Sequence, residues 1–216
     1  MNTSSHLAVS ALVWTGDCLK VLDQRQLPDN IIYHAYNNAQ EVAQAISSMQ
    51  VRGAPAIGIA AAYGVALSAK QHYAENKPDW RGQVAADIKQ LAESRPTAVN
   101  LFWALDRMER ALANATDLVA TAWEEAERIV EDDVETCRMI GVHGLPIIEA
   151  LAAKKNGEPV NILTHCNAGM LGCIEWGTIS SPIYQAVQKG IPVHVWVDET
   201  RPRNQGANLT AYELTR

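Results

Sequence analysis

Cysteines are few in this sequence, and their spacing argues against the common metal and disulfide frameworks. The chain has four in 216 residues: Cys18, Cys137, Cys166 and Cys173. None forms a Cys-X-X-Cys pair, and none is spaced with histidines as zinc ligands are. This density is also too low for a disulfide-stapled domain, which favours a reducing, cytoplasmic compartment. We therefore expect no metal, and we interpret Cys18, Cys137 and Cys173 as structural thiols.

Positive charge and long apolar runs are also scarce. The formal net charge is −6 at pH 7, which argues against a nucleic-acid partner. The most apolar run, Ala54 to Ala69, is shorter than the ~20 residues of a membrane span, so it predicts a buried helix. Residues 1–10 lack the pattern of a signal peptide. Neither a Gly-rich dinucleotide fingerprint nor a P-loop is present, and we expect no cofactor.

The pattern of apolar residues changes near residue 150 and indicates two domains of an α/β protein. Over residues 1–150, alternation in Ala11 to Leu27 predicts a β-hairpin, and helical periodicity follows. Over residues 151–216, two β-rich runs flank a helical segment, which is typical of a βαβ unit with parallel strands. Thr210 and Glu213 are spaced as in a capping box, so a helix should begin there. Two strands are too few for a stable sheet, so this domain is expected to be truncated or completed by another chain.

Two arginine-proline segments have the composition of anion-binding sites. Arg52-Gly53-Ala54-Pro55 and Arg95-Pro96-Thr97 each precede a predicted helix, with the proline placed at the first helical turn. Free N–H groups, the positive end of a helix dipole and an adjacent arginine together suit a phosphate. Gly53 would also let an anion approach the backbone closely. The alternative is that each arginine merely pairs with a surface carboxylate.

Two further segments follow the predicted parallel strands. Cys166 lies just past the first strand, where α/β folds bind ligands. It could be a thiolate activated by a following helix or by His165, or simply a small buried thiol. Since neighbours on a strand point to opposite faces, His165 is not its obvious partner. Gln205, in the polar loop after the second strand, could bind sugar hydroxyls, unless that loop is only solvated.

Taken together, these segments resemble one family, the methylthioribose-1-phosphate isomerases. The matching stretches occur in the family's order: residues 51–58, 95–101, 161–167, 198–202, 205–206 and 209–211. The resemblance covers nearly the whole chain and implies a helical N-terminal domain, a Rossmann-like C-terminal domain, a homodimer and a role in methionine salvage. It implies that Cys166 is catalytic. It also implies that Arg52, Gly53, Ala54, Arg95 and Gln205 bind the substrate.

The chain departs from the family pattern at its end. The family has a catalytic aspartate in a later Asn-Gly-Asp segment, and this sequence stops at Arg216 before it. The resemblance thus implies a truncated isomerase with impaired activity. One alternative is an isomerase of 5-deoxyribose 1-phosphate or ribose 1,5-bisphosphate, because apolar bulk distinguishes such substrates by only ~1–3 kcal/mol. Another is a non-catalytic scaffold, like the regulatory subunits of the translation initiation exchange factor, which resemble this family in fold.

Overall fold

A computed structural model of the chain describes residues 9–75 and 79–215. Contacts divide it into two compact units. Within the described residues, the N-terminal unit comprises residues 11–26, 31–75 and 79–132, and the C-terminal unit comprises residues 9–10, 27–30 and 133–215. The expected absence of a signal peptide concerns residues 1–10, and residues 1–8 of these lie outside the described part of the chain. The domain boundary expected near residue 150 stays a prediction.

The N-terminal unit opens with a small antiparallel sheet of strand order β1-β2-β3. The predicted hairpin is confirmed as β1 (Leu12–Trp14) and β2 (Leu19–Leu22), with Val13 opposite Lys20. A third strand, β3 (Tyr33–Tyr36), pairs with β2 and was not predicted. Its four residues show no clear alternation in burial, so a period of two could not reveal it.

Four helices follow the sheet, and the second is central to the unit. They are α1 (Ala39–Ser47), α2 (Ala54–Ala74), α3 (Trp80–Glu93) and α4 (Val99–Leu112). Because α2 packs against α1, α3 and α4, it is apolar on all sides. At Gly58 the neighbouring helix comes so close that a Cβ would lie 2.7 Å from the Asn100 carbonyl oxygen. The buried helix predicted over residues 54–69 is confirmed, and no helix among the described residues is suited to spanning a membrane.

The long helix α5 (Leu118–Ala152) continues from the N-terminal into the C-terminal unit. There β4 (Val160–His165), α6 (Ser180–Gln188) and β5 (Val193–Asp198) form the predicted βαβ unit. The two strands are parallel, and His165 stands opposite Asp198 at their carboxyl ends. The core beneath them includes Leu145, Ile148, Val160 and Ala186. The α/β fold class expected from the sequence is therefore confirmed.

The chain beyond β5 differs from the expected capping box. A π-helical turn covers Gly206–Thr210 and leads directly into α7 (Ala211–Leu214). The Thr210 hydroxyl donates to the carbonyl oxygen of Cys166 rather than capping a helix. The Glu213 carboxylate accepts the backbone N–H of Leu171 rather than that of its own helix. The capping-box prediction is wrong because both side chains make tertiary hydrogen bonds instead. The expected helix does begin directly after Thr210.

Candidate active site

The first arginine segment forms the start of α2 in the N-terminal unit. Gly53 precedes the helix with φ 93°, a conformation that L side chains rarely adopt. Ala54 is exposed at the first helical position, and Pro55 lies in the first turn as predicted. Arg52 is buried, and its Nη2 donates to the carbonyl oxygen of Gln24 over 2.8 Å. Arg52 is therefore not a surface arginine, and it precedes the start of α2 by two positions in the chain.

The second arginine segment does not form a helix start in the way the sequence predicted. Helix α4 begins at Val99, and Pro96 lies in the turn before it. That turn is closed by a 3.0 Å hydrogen bond from the Ala98 N–H to the Arg95 carbonyl oxygen. Arg95 is half-buried, and it pairs with no carboxylate within residues 9–75 and 79–215. Its charge is therefore not committed to an ion pair there, and α4 begins only at Val99.

Cys166 directly follows β4 and has an uncommon backbone conformation. Its φ is 64°, in the left-handed region that costs a non-glycine residue free energy. The Thr210 hydroxyl donates to the Cys166 carbonyl oxygen, and the Asn167 amide donates to the Thr210 hydroxyl. The segment after β5 thus holds the backbone of Cys166 in place. Such conformations persist only where the surroundings enforce them, and they cluster at functional sites.

A buried carboxyl group supports the loop that carries Cys166. Burial raises the pKa of Glu213 to about 7, although hydrogen bonds from the Leu171, Asn167 and Met170 N–H groups lower it in part. The Glu213 Oε1 atom is inaccessible and has no hydrogen-bond partner among the residues described. It lies against Gly169, where a Cβ would come within 1.2 Å of it. The Cys166 loop and α7 are therefore closely fitted to each other.

The polar loop after β5 is ordered by one carboxylate. Glu199 accepts the N–H groups of Thr200, Gly206 and Ala207, the first two at 2.8 and 2.7 Å. Burial raises the pKa of Glu199, but these three donors outweigh it and lower that pKa overall. Gln205 precedes the π-helical turn, a feature often found at functional sites. Its buried Oε1 accepts no hydrogen bond from the described part of the chain.

His165 is engaged away from Cys166. Its Nδ1 lies 3.1 Å from Asp198 Oδ2, and its Nε2 lies 3.4 Å from the Thr200 hydroxyl. This agrees with the expectation that His165 is not the partner of Cys166. An activating α-helix is not found either, because Cys166 is followed by a short 3-10 turn, Met170–Gly172. Sequence reasoning missed the roles of Glu199, Thr210 and Glu213, and only the Thr210–Glu213 spacing gave any signal.

The six predicted site residues fall into two groups, one in each unit. Arg52, Gly53 and Ala54 meet at the start of α2, and Arg95 lies in the turn before α4. Cys166 and Gln205 lie in the loops that follow the two parallel strands, and Thr210 connects those loops. α/β proteins with parallel strands bind ligands at the carboxyl edge of the sheet. The parallel strands and the loops that follow them place this chain in that class of protein.

Comparison with known proteins identifies the family. A sequence model described as "Initiation factor 2 subunit family" matches residues 50–216, so the chain belongs to that family. Among curated relatives, methylthioribose-1-phosphate isomerase from Desulfosudis oleivorans is 45% identical over 98% of this chain. The enzyme of the same name from Methylorubrum extorquens is 50% identical over 92% of the chain. The chain spans only 58% and 53% of the length of these two relatives.

Two solved structures share the fold. A 5-methylthioribose 1-phosphate isomerase from Pyrococcus horikoshii superposes with a TM-score of 0.84 at 33% identity, covering 98% of this chain and 58% of its own. The delta subunit of translation initiation factor eIF-2B from A. fulgidus superposes with a TM-score of 0.78 at 34% identity. That superposition covers 96% of this chain and 59% of the subunit. The family therefore includes an enzyme and a translation factor that are both similar to this chain.

Proposed function

We propose that this chain provides the substrate-binding and cysteine-bearing part of an aldose–ketose isomerase of methionine salvage, which converts 5-methylthioribose 1-phosphate to 5-methylthioribulose 1-phosphate. Curated relatives of that name at 45% and 50% identity support the proposal. The observation that carries it is the held, left-handed Cys166 on the strand edge that also bears the unpaired Gln205 amide oxygen. Thiol and amide together suit a reacting sugar carbon and its hydroxyls.

The reaction has two demands, and the predicted residues suit them. Phosphate on the anomeric oxygen blocks ordinary ring opening, so the ring oxygen must be protonated before hydrogen moves between C2 and C1. Arg52, the N–H groups at the start of α2, and Arg95 would bind the phosphate. Gln205 would bind hydroxyls. Cys166 would act as the base if hydrogen moves as a proton, or would stabilise the transition state if it moves as a hydride.

The resemblance places a catalytic aspartate in a segment that residues 1–216 do not contain. We therefore expect these residues alone to bind the sugar phosphate but to turn it over slowly or not at all. The test is an assay of the 216-residue chain with 5-methylthioribose 1-phosphate, which follows ketose phosphate by phosphorus NMR. Binding without turnover is the expected result. Turnover that disappears in Cys166→Ser would show that the aspartate is dispensable, and the absence of both binding and turnover would contradict the proposal.

A second candidate function is a non-catalytic scaffold that binds phosphorylated ligands. The similarity to the eIF-2B delta subunit favours it, with a TM-score of 0.78. The same assay separates the two when it is run on a version of the protein that includes the segment with the expected aspartate. Turnover there identifies the isomerase, and parallel runs with 5-deoxyribose 1-phosphate and ribose 1,5-bisphosphate identify the sugar. Binding without turnover in that longer protein would favour the scaffold.

We expect Arg52→Ala to weaken binding of the sugar phosphate by about tenfold or more, because a charge-assisted hydrogen bond contributes ~1.5–3 kcal/mol. The matched control is Arg81→Ala. Arg81 also donates an Nη2 hydrogen bond to a backbone carbonyl, that of Ala115, but it is exposed and lies away from the predicted site residues. Isothermal titration calorimetry measures the affinity of both variants for the sugar phosphate. Equal losses of affinity in the two variants would show that Arg52 is not part of the site.

We also propose that the protein is a cytoplasmic homodimer, as the resemblance implies. Sedimentation equilibrium of the purified protein measures the mass directly. A monomer at all concentrations would contradict the dimer.

A further inference from the structure

A cluster of two thiols and a carboxylate lies inside the C-terminal unit. Asp133 and Cys137 stand four residues apart on α5, so their side chains share one face of that helix. Cys173 follows the 3-10 turn at the end of the Cys166 loop. The two thiols are buried, at 1% and 2% exposure, and the carboxylate is half-buried. None of these residues has a role in the proposed isomerisation.

The three side chains converge closely enough to share one ion. Their ligand atoms, one carboxylate oxygen and two sulfurs, all lie within 4.8 Å of one another. Around a tetrahedral zinc ion with Zn–S bonds of about 2.3 Å, two sulfurs lie about 3.8 Å apart. A sulfur–sulfur separation of that size is compatible with the 4.8 Å limit within which the ligand atoms lie. Thiolate ligands select zinc and other soft metals over magnesium or calcium.

One atom of the cluster has no hydrogen-bond partner within the described residues. The Asp133 Oδ2 atom is inaccessible and has no hydrogen-bond partner within the described ranges. The Cys137 and Cys173 thiols are hydrogen-bonded to each other. An inaccessible carboxylate oxygen without a hydrogen-bond partner costs free energy, and a divalent cation would offset that cost.

We propose that Asp133, Cys137 and Cys173 form a binding site for a soft divalent cation of the zinc class. Two thiolates and one carboxylate supply three ligands, and a water molecule or a further group completes the tetrahedron. Binding releases the two thiol protons to solvent. The bound ion ties α5 to the chain segment that follows Cys166, so it stabilises the loop on which the candidate thiol stands.

This metal site could not be predicted from the sequence. We expected no metal because no pair of cysteines has zinc-ligand spacing, and 35 residues lie between Cys137 and Cys173. The helix supplies two ligands through its period, and the fold brings the third from a distant turn. The thiols that were interpreted as structural therefore acquire a specific role in this proposal.

Cobalt(II) added to the reduced, metal-free protein tests the proposal. Four-coordinate Co²⁺ bound to thiolates gives a near-ultraviolet charge-transfer band and intense visible bands. We expect both bands in the wild type, with saturation at one ion per chain and displacement by Zn²⁺. Cys137→Ser and Cys173→Ser should each remove about half of the charge-transfer intensity or more, since each removes one of two thiolates. Asp133→Asn should keep the band but weaken Co²⁺ binding at least tenfold.

Cys18→Ser is the matched control, because that cysteine lies in the N-terminal unit and should leave every signal unchanged. Circular dichroism shows whether each variant is folded. If a serine variant does not fold, thermal unfolding of the wild type and of Cys18→Ser still tests metal binding. Zn²⁺ should raise the melting temperatures of these two proteins equally. The absence of a thiolate band, or a band that survives both serine variants, would overturn the proposal. A Cys137–Cys173 disulfide in protein kept under reductant would overturn it as well.

Discussion

Replacing Gly177 with alanine is expected to destabilise the C-terminal unit more than any other single change considered for this chain. Gly177 has φ 67°, and a Cβ there would lie 2.4 Å from the backbone of Gly169. The left-handed conformation costs alanine about 1–2 kcal/mol, and backbone overlap adds typically ~1–3 kcal/mol. Neither backbone segment in this contact can move freely, because the Thr178 and Ile179 N–H groups both donate to the Ala168 carbonyl oxygen. We therefore expect a loss of about 2–5 kcal/mol in the free energy of unfolding.

Urea unfolding followed by circular dichroism measures this loss. Gly190→Ala is the matched control, since Gly190 has a similar φ of 75° but no atom within 4 Å of a built Cβ. It should show only the conformational cost, about 1–2 kcal/mol. The difference between the two variants isolates the close packing beneath the Cys166 loop. Equal losses would mean that the backbone of Gly169 yields easily and that this packing contributes nothing.

The second large effect concerns the pH dependence of stability at Glu213. Burial raises its pKa from 4.5 to about 7, so the folded chain binds this proton more tightly than the unfolded chain does. The wild type should therefore have its full stability below about pH 4.5 and lose stability as the pH rises through 7. A shift of this size corresponds to roughly 3 kcal/mol. Glu213→Gln removes the ionisation, so relative to the wild type it should gain up to that amount at pH 8.

Urea unfolding at pH 4.5 and pH 8 measures both proteins under the same conditions. Glu199→Gln serves as a control of opposite sign, because hydrogen bonds to Glu199 lower its pKa. That variant should lose stability relative to the wild type above the unfolded pKa of glutamate, and the difference should fade at low pH. If the difference between Glu213→Gln and wild type is the same at both pH values, Glu213 does not titrate in the folded chain.

Elements with strong local patterns could be predicted from the sequence. Asn38 before α1 accepts the Glu41 N–H as a helix cap, a position that favours asparagine. Helix α2 carries its proline in the first turn, as anticipated. The parallel strands β4 and β5 also follow from two β-rich runs on either side of a helical segment. Cys166 could be predicted as a candidate site residue because its identity and its position after a strand are both local properties of the sequence.

Features that depend on distant partners could not be predicted. Strand β3 exists because β2 offers it a pairing edge, and its own four residues carry no alternation. The turn at Pro96 delays α4 by a few residues, although proline there suits either structure. Local propensity in such cases is compatible with more than one conformation, and tertiary contacts choose between them.

Thr210 and Glu213 illustrate most clearly how sequence and tertiary structure share the determination of this protein. The sequence by itself determined the helices, the βαβ unit, the family and the identity of the candidate thiol, because periodicity and motif are properties of neighbouring residues. Only the tertiary structure decided that the supposed capping pair holds the Cys166 loop instead, and that Asp133, Cys137 and Cys173 converge. The physical reason is that a polar side chain bonds to whichever buried partner the fold brings nearest, since leaving either group unsatisfied costs more than losing a cap.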